Sequence, residues 1–300
     1  MAVDRGRYTC AVADRRVTAM RARELGRKSV VVGDRVDLVG DTSGRPGTLA
    51  RIVRISPRQS VLRRTADDDD PTERVIVANA DQLVIVTSLA DPPPRTGFID
   101  RCLVAAYDAG IEPLLCLTKA DLVPDQAWPP AVLNHYADLD LGYVTTRFDQ
   151  PLDDLAERLV GRLSVLVGHS GVGKSTLVNR LVPGADRAVG AVSAIGKGRH
   201  TSSSAVALEL PGGGWIVDTP GVRSFGLAHV SAESLLHGFP DLAAGARECP
   251  TDCDHTTTHG ECALDEWVAA GNADPQRLDS YRRLLASRLQ AESSSDQPDD

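Results

Sequence analysis

Apolar residues follow three different spacings along this chain. From residue 8 to residue 55 they sit in short β-branched runs broken by Gly, Asp and Ser: Tyr8-Thr9-Cys10-Ala11-Val12, Val17 to Ala22, Val30 to Val39 and Thr48 to Ile55. Such runs predict short strands, and a small OB-type β-barrel is the economical way to pair them. From Val75 onward, longer apolar runs alternate with helical patterns. Gln82 to Thr87, Leu114 to Leu117, Gly142 to Thr145, Leu163 to Val167, Ala205 to Leu210 and Trp215 to Val217 read as strands, with helices over about 97 to 109 and from Leu177. That alternation predicts an α/β fold with a buried sheet. Further on, Leu278, Tyr281, Leu284, Leu285 and Leu289 recur at helical spacing and predict closing helices. Asp67-Asp68-Asp69-Asp70-Pro71 has nothing to bury and reads as a linker or exposed loop; Glu292 to Asp300 reads as a disordered acidic tail. The expected division is 1–70 for the barrel, 76–230 for the α/β domain, 231–292 for a C-terminal module and 293–300 for the tail.

Composition narrows the classes. A chain of 300 residues exceeds the roughly 100–200 of one domain, and 42% hydrophobic with 4% aromatic content suits a core of Val, Leu and Ala. No stretch approaches the roughly 18 apolar residues of a membrane span, and the first residues carry no apolar signal core. The expectation is a cytoplasmic monomer with no membrane partner. The net charge of -8 hides an asymmetry: residues 1–65 hold 15 Arg and Lys against 6 Asp and Glu, a net +9, which leaves -17 for the rest. A basic segment fused to an acidic remainder points to a nucleic-acid-facing unit. Tyr8 is the one aromatic it offers for base stacking, so backbone contacts should dominate.

The strongest local signal is Gly168-His169-Ser170-Gly171-Val172-Gly173-Lys174-Ser175, followed by Thr176, between a predicted strand and a predicted helix. It fits G-x-x-x-x-G-K-[ST], a loop whose backbone N–H groups converge on phosphate oxygens at a helix N-terminus. Lys174 would reach the terminal phosphates, and the Ser175 hydroxyl is a Mg²⁺ ligand candidate. Thr118-Lys119-Ala120-Asp121 ends the strand Leu114 to Leu117. A fixed Asp there can accept from the N1–H and exocyclic amine of guanine, and adenine lacks that donor pair, so Asp121 would select GTP. Thr145 and Thr146 end the next strand, where their backbone and hydroxyls would meet guanine O6. Asp218-Thr219-Pro220-Gly221 ends another. A carboxylate at that point holds a nucleotide-bound Mg²⁺, and the Gly221 N–H can meet a γ-phosphate. Cys249, Cys253, His255 and Cys262 supply three thiolates and one imidazole within 14 positions, which fits one structural Zn²⁺. Cys10, Cys102 and Cys116 fall in strand or helix patterns and read as inert core residues.

The order of these pieces is unusual: Asp121 precedes Lys174 by 53 residues, so the base-reading motif comes before the phosphate loop. With the basic N-terminal unit and the Cys/His cluster, the arrangement resembles the circularly permuted GTPases of the small ribosomal subunit biogenesis RsgA (YjeQ) family. Asn79-Ala80-Asp81-Gln82, Ile99-Asp100-Arg101, Gly198-Arg199-His200-Thr201 and Asp218-Thr219-Pro220-Gly221-Val222-Arg223 carry the resemblance. It implies a circularly permuted P-loop GTPase domain between an OB-type barrel and a zinc-binding helical module. It further implies GTP and GDP as ligands, Mg²⁺, and the 30S subunit with its 16S rRNA as partner.

The chain also departs from that family. Thr118 stands where the family has Asn, which implies a weaker tie to the phosphate loop, and serines follow Thr201 where the family has threonines, so Thr201 and Ser202 both remain candidates for the Mg²⁺-facing hydroxyl. The family's zinc spacing differs by one residue in two gaps, which leaves His259 as a rival to His255. Val222 follows the D-x-x-G glycine and cannot orient water. His200 is the nearest polar candidate, and the resemblance assigns it that role; catalysis is then expected from His200, Lys174 and Thr201. A P-loop metabolic kinase would share the phosphate loop, and a non-catalytic RNA-binding scaffold would share the barrel and the zinc site. Neither needs Asp121 together with Lys174, Ser175 and Asp218.

Overall fold

A computed structural model describes residues 2–4, 6–26, 30–65, 72–124, 130–137, 139–185, 205–219, 225–256 and 262–295. Its α/β part is built on β8 (Gln82–Ser88), β9 (Glu112–Thr118), β10 (Gly142–Thr145), β11 (Leu163–Val167), β12 (Val206–Glu209) and β13 (Trp215–Asp218). These lie in the order β10-β9-β8-β11-β13-β12. All neighbours are parallel except β12 on β13. The chain thus enters the sheet in its middle, and the strand leading to the phosphate loop is the fourth of the six along the chain.

Helices α1 (Thr96–Asp108), α2 (Ala131–His135), α3 (Asp153–Leu159) and α4 (Lys174–Leu181) cover the sheet. Every residue of β8 is buried, as expected of a parallel strand covered on both faces. Alternate residues feed two cores. Leu83, Ile85, Leu115, Leu117, Val165 and Val167 pack with α1 on one face; Val84, Val86, Leu114, Cys116 and Leu166 pack with Leu155, Leu159, Leu177 and Val178 of α3 and α4 on the other.

The N-terminal strands β1 (Ala2–Asp4), β2 (Arg7–Val12), β3 (Arg15–Arg21), β4 (Val36–Gly40) and β5 (Ala50–Ile55) follow the order 1-2-3-5-4, with β3 and β5 parallel. Val17, Ala19, Ala50 and Ile52 point inward, while Arg15, Met20 and Arg51 stay exposed. Pairing of β4 with β1, which would close a barrel, is not among the pairings of the described residues. Instead β1 pairs with β12 through Ala2 and Val206, so that N-terminal and α/β strands share one eleven-stranded sheet. Tyr8 is 4% exposed in this small core and is not free to stack on a base.

The run Val30 to Val39 is not one strand. The chain turns at Gly33, where φ is +89° and a Cβ would lie 1.9 Å from the Ala78 carbonyl oxygen. That close approach is sealed by Ala78 N–H on Val32 O (2.9 Å) and Asn79 Nδ2 on Gly33 O (3.0 Å). Ala78 belongs to a hairpin that the sequence pattern did not reveal, β6 (Val61–Arg64) with β7 (Arg74–Ala78). The hairpin also grips the chain leaving β13: Thr65 N–H donates to Gly226 O (3.1 Å), and the Ala228 N–H donates to the Thr65 hydroxyl (3.2 Å).

The C-terminal module contains α5 (Ala232–His237), α6 (Pro240–Ala246), α7 (Ala263–Ala269) and α8 (Pro275–Ser295). Ser231 caps α5 by accepting the Ser234 N–H (3.0 Å), and Pro240 starts α6, where its missing N–H is no loss. On α8, Leu278, Tyr281, Leu284 and Leu285 are buried as their spacing predicts, whereas Leu289 is largely exposed. The helix continues to Ser295, into the predicted tail.

A buried charge cluster fastens the module to the sheet's cover. Arg277 of α8 is 1% exposed. Its guanidinium makes two bonds to Asp241 of α6 (2.8 and 2.9 Å) and one to Asp100 of α1 (2.8 Å). Asp100 also accepts from Ser280 Oγ (2.5 Å) and from the Tyr136 hydroxyl (3.1 Å). Burial pushes the Asp100 carboxyl above its usual range, and Arg277 opposes that shift. Among the described residues no helix is long and apolar enough to cross a membrane.

Candidate nucleotide site and metal centre

The phosphate loop leaves β11 at Gly168, where a Cβ would sit 2.4 Å from the Val86 carbonyl oxygen, so β11 and β8 can lie side by side only with glycine there. Gly173 caps α4 in the left-handed conformation, and Lys174 begins the helix. Ser170, Gly171, Ser175 and Thr176 are exposed on the open side of this turn, with Lys174 partly so. Two side chains face inward. Val172 is buried, and the His169 ring packs on Phe98 of α1 with centroids 4.1 Å apart. Burial, with Arg95 nearby, lowers the His169 pKa and keeps the ring neutral. His169 and Val172 therefore offer a ligand their backbone only.

The loop Thr118 to Asp121 stands beside it. Thr118 ends β9 at 3% exposure, and its hydroxyl donates to the Val172 carbonyl at 2.6 Å. The tie to the phosphate loop, expected to be weak without Asn, is made by the shorter side chain. Lys119 takes a left-handed conformation (φ +57°) and donates through Nζ to the Asp91 carbonyl. Asp121, in the turn Ala120–Leu122, accepts the Phe148 N–H through Oδ1 (3.1 Å), a contact that no sequence signal announced. Thr145 and Thr146 adjoin it: the Ala120 N–H donates to Thr146 O (3.2 Å), and the Thr146 N–H donates to Leu117 O (2.8 Å). The Thr146 amide is consequently occupied and not available to guanine O6.

Asp218, at the end of β13, lies in register with Leu166 of β11. Thr219 holds the two strand ends together by donating its hydroxyl to Leu166 O (2.8 Å). Asp218 Oδ1 is buried without a hydrogen-bond partner among the described residues. Burial raises its pKa, and Lys174 opposes the rise. An orphaned carboxylate oxygen beside the Ser175 end of α4 fits a hard divalent cation such as Mg²⁺. His200, Thr201, Ser202 and Gly221, expected to complete this site, lie outside the described residues.

The second site is in the C-terminal module. Cys249 Sγ, Cys253 Sγ, His255 Nδ1 and Cys262 Sγ all lie within 4.8 Å of one another. Cys249 and Cys262 sulfurs are 3.9 Å apart, and His255 Nδ1 is 3.6 Å from the Cys253 sulfur and 3.8 Å from that of Cys262. A tetrahedral Zn²⁺ with bonds of about 2.3 Å to sulfur and about 2.0 Å to nitrogen gives ligand edges of about 3.5 to 3.8 Å, so the four atoms fit. Burial, reinforced by neighbouring sulfurs, pushes the Cys262 thiol up to about 11, and a dication at the centre would reverse that. Burial lowers the pKa of His255 and favours the neutral, ligating imidazole. His255 is thus the histidine gathered with the cysteines; His259 lies outside the described residues. Among the other cysteines, Cys102 and Cys116 are buried and Cys10 is half-buried.

The family model of the RsgA GTPase matches residues 55–228. A protein of Ectopseudomonas mendocina named small ribosomal subunit biogenesis GTPase RsgA is 42% identical over 86% of this chain and 75% of its own length. One of the same name from Chlorobaculum parvum is 37% identical over 91% of this chain and 90% of its own. The crystal structure of YjeQ from Thermotoga maritima superposes with a TM-score of 0.73 at 26% identity, covering 94% of each chain. That of YloQ, described as a circularly permuted GTPase, gives a TM-score of 0.70 at 23% identity and covers 98% of this chain and 93% of its own, a likeness of fold. The base-reading strands ahead of the phosphate loop, the Cys/His cluster and these matches agree: the chain belongs to the RsgA GTPase family.

Proposed function

We propose that the protein is a GTP hydrolase that binds the 30S ribosomal subunit and assists its late maturation. The observation that carries this reading is convergence: Asp121, the phosphate loop and Asp218, with its unpaired Oδ1, lie at the carboxyl ends of β9, β11 and β13, where doubly wound sheets bind ligands. Asp121, held by the Phe148 amide, would accept from the N1–H and amine of guanine, with Lys119 and Ala120 of the same loop beside it. Gly168 to Thr176 wrap the phosphates, and Lys174 neutralises their terminal charge. Ser175, Asp218 and one of Thr201 or Ser202 would hold Mg²⁺, which when bound withdraws charge from the β- and γ-phosphates. His200 orients the attacking water in the subunit-bound state. Strand order 1-2-3-5-4, the parallel β3/β5 pair and the surplus of Arg support an OB-type barrel over residues 1–70 that faces 16S rRNA in the cytoplasm. Residues 76–230 form the permuted GTPase domain and 231–292 the zinc module, coupled to the GTP state through the segment after β13.

Release of inorganic phosphate from GTP and from ATP, with and without small subunits, tests the reading. Turnover of GTP, faster with subunits, is expected. Phosphate transfer to an acceptor, or no turnover in either condition, would overturn it. His200→Ala should lower subunit-stimulated turnover while leaving GDP affinity in place.

A further inference from the structure

Guanine presents two donors, N1–H and the exocyclic amine, and two acceptors, O6 and N7. Asp121 can serve only the donors. Reading N7 needs a protein donor, and Thr118 is the residue of the base-reading motif placed between that loop and the phosphate loop. A hydroxyl carries one proton. That of Thr118 goes to the Val172 carbonyl at 2.6 Å, while a second carbonyl, Thr87 O, lies 3.4 Å from the same oxygen. Whichever carbonyl takes the proton, none remains for a third acceptor. The Thr146 amide is directed elsewhere, to Leu117 O, and Lys119 Nζ donates to Asp91 O.

We propose that Thr118 is a positioning residue for the phosphate loop and that it leaves guanine N7 unread, so that base selection rests on the N1 and amine edge alone. The inference rests on the reading above that a guanine nucleotide occupies this site. The hydroxyl fixes the carbonyl of Val172, one residue before the Gly173 cap, and so sets the direction of the amides that follow. Selectivity survives the loss of Asn because a base without the two donors leaves the Asp121 carboxylate without those partners.

Affinities of the full chain for GDP, 7-deaza-GDP and IDP, measured by titration in Mg²⁺ buffer, test the first half. 7-Deaza-GDP replaces N7 by C–H, and IDP lacks the amine. 7-Deaza-GDP should bind within about twofold of GDP, and IDP about tenfold or more weakly. Discrimination of about tenfold against 7-deaza-GDP, with GDP still bound, overturns this inference alone; absence of GDP binding overturns the functional reading and this inference with it. Dissociation rates test the second half. Thr118→Val keeps the shape and removes the proton, and should speed release of GDP and 7-deaza-GDP by the same factor, about fivefold. Thr118→Ser should restore slow release. A Val variant that holds GDP like the natural chain, or a Ser variant that releases it like Val, overturns the positioning role.

Discussion

Gly168 and Thr118 act at the same point of the molecule by opposite means, one by having no side chain and the other by spending the whole of a small one. Replacing Gly168 by Ala sets a methyl group 2.4 Å from Val86 O, so β11 must move off β8 or the loop must turn elsewhere. The expected result is a loss of about 1–3 kcal/mol in urea unfolding and a drop in GDP affinity larger than the stability loss alone explains. The glycine was legible from the sequence because its pattern is local, eight consecutive positions with their flanks. The Thr118 bond was not, since its acceptor lies 54 residues away and a hydroxyl can make a contact usually credited to an amide. Tyr8 failed for a related reason: a strand pattern states that alternate residues are buried without stating which face is inward.

At the level of elements, the main lesson is how α8 is held. Arg277 bonds both Asp100 and Asp241 out of contact with water, and its guanidinium lies 4.6 Å from the Phe239 ring centroid. Arg277→Met strands two buried carboxylates and should cost about 3–5 kcal/mol, read as a lower urea midpoint; replacing all three residues by apolar ones of similar volume should cost less. The sequence made α8 visible through its apolar spacing, but not this cluster, because Asp100, Asp241 and Arg277 each lie in a different helix and look like surface charges. The zinc ligands were legible as a set, since three cysteines and a histidine within 14 positions of a largely cysteine-poor chain have few other uses. Stripping the metal with a strong chelator should unprotect amides of 249–256 and 262–269 in hydrogen exchange while GDP remains bound.

Across the whole molecule, sequence spacing suggested separate modules joined by linkers, and the backbone pairs them into a continuous sheet through Ala2 and Val206. That single register pair could not be read from the chain, because β1 is three residues long and carries no period. The strand it meets, β12, follows directly on residues 201–204, so the basic unit abuts the nucleotide-facing end of the sheet's edge. Hydrogen exchange in GDP and in a non-hydrolysable GTP analogue is expected to differ at residues 225–230 and at Thr65 together. Identical protection in both states at these positions would remove the coupling between nucleotide and module.

The grip of Thr65 on Gly226 and Ala228 makes that pairing consequential. One threonine acts as a bolt through two plates, the neck of the Arg-rich unit and the root of the helices around the Cys/His cluster. Slack introduced where β13 ends reaches both plates at once. Under the proposed function, a small subunit held by both flanks would then be let go in a single event, with no half-detached species to accumulate and hydrolysis as the clock for departure.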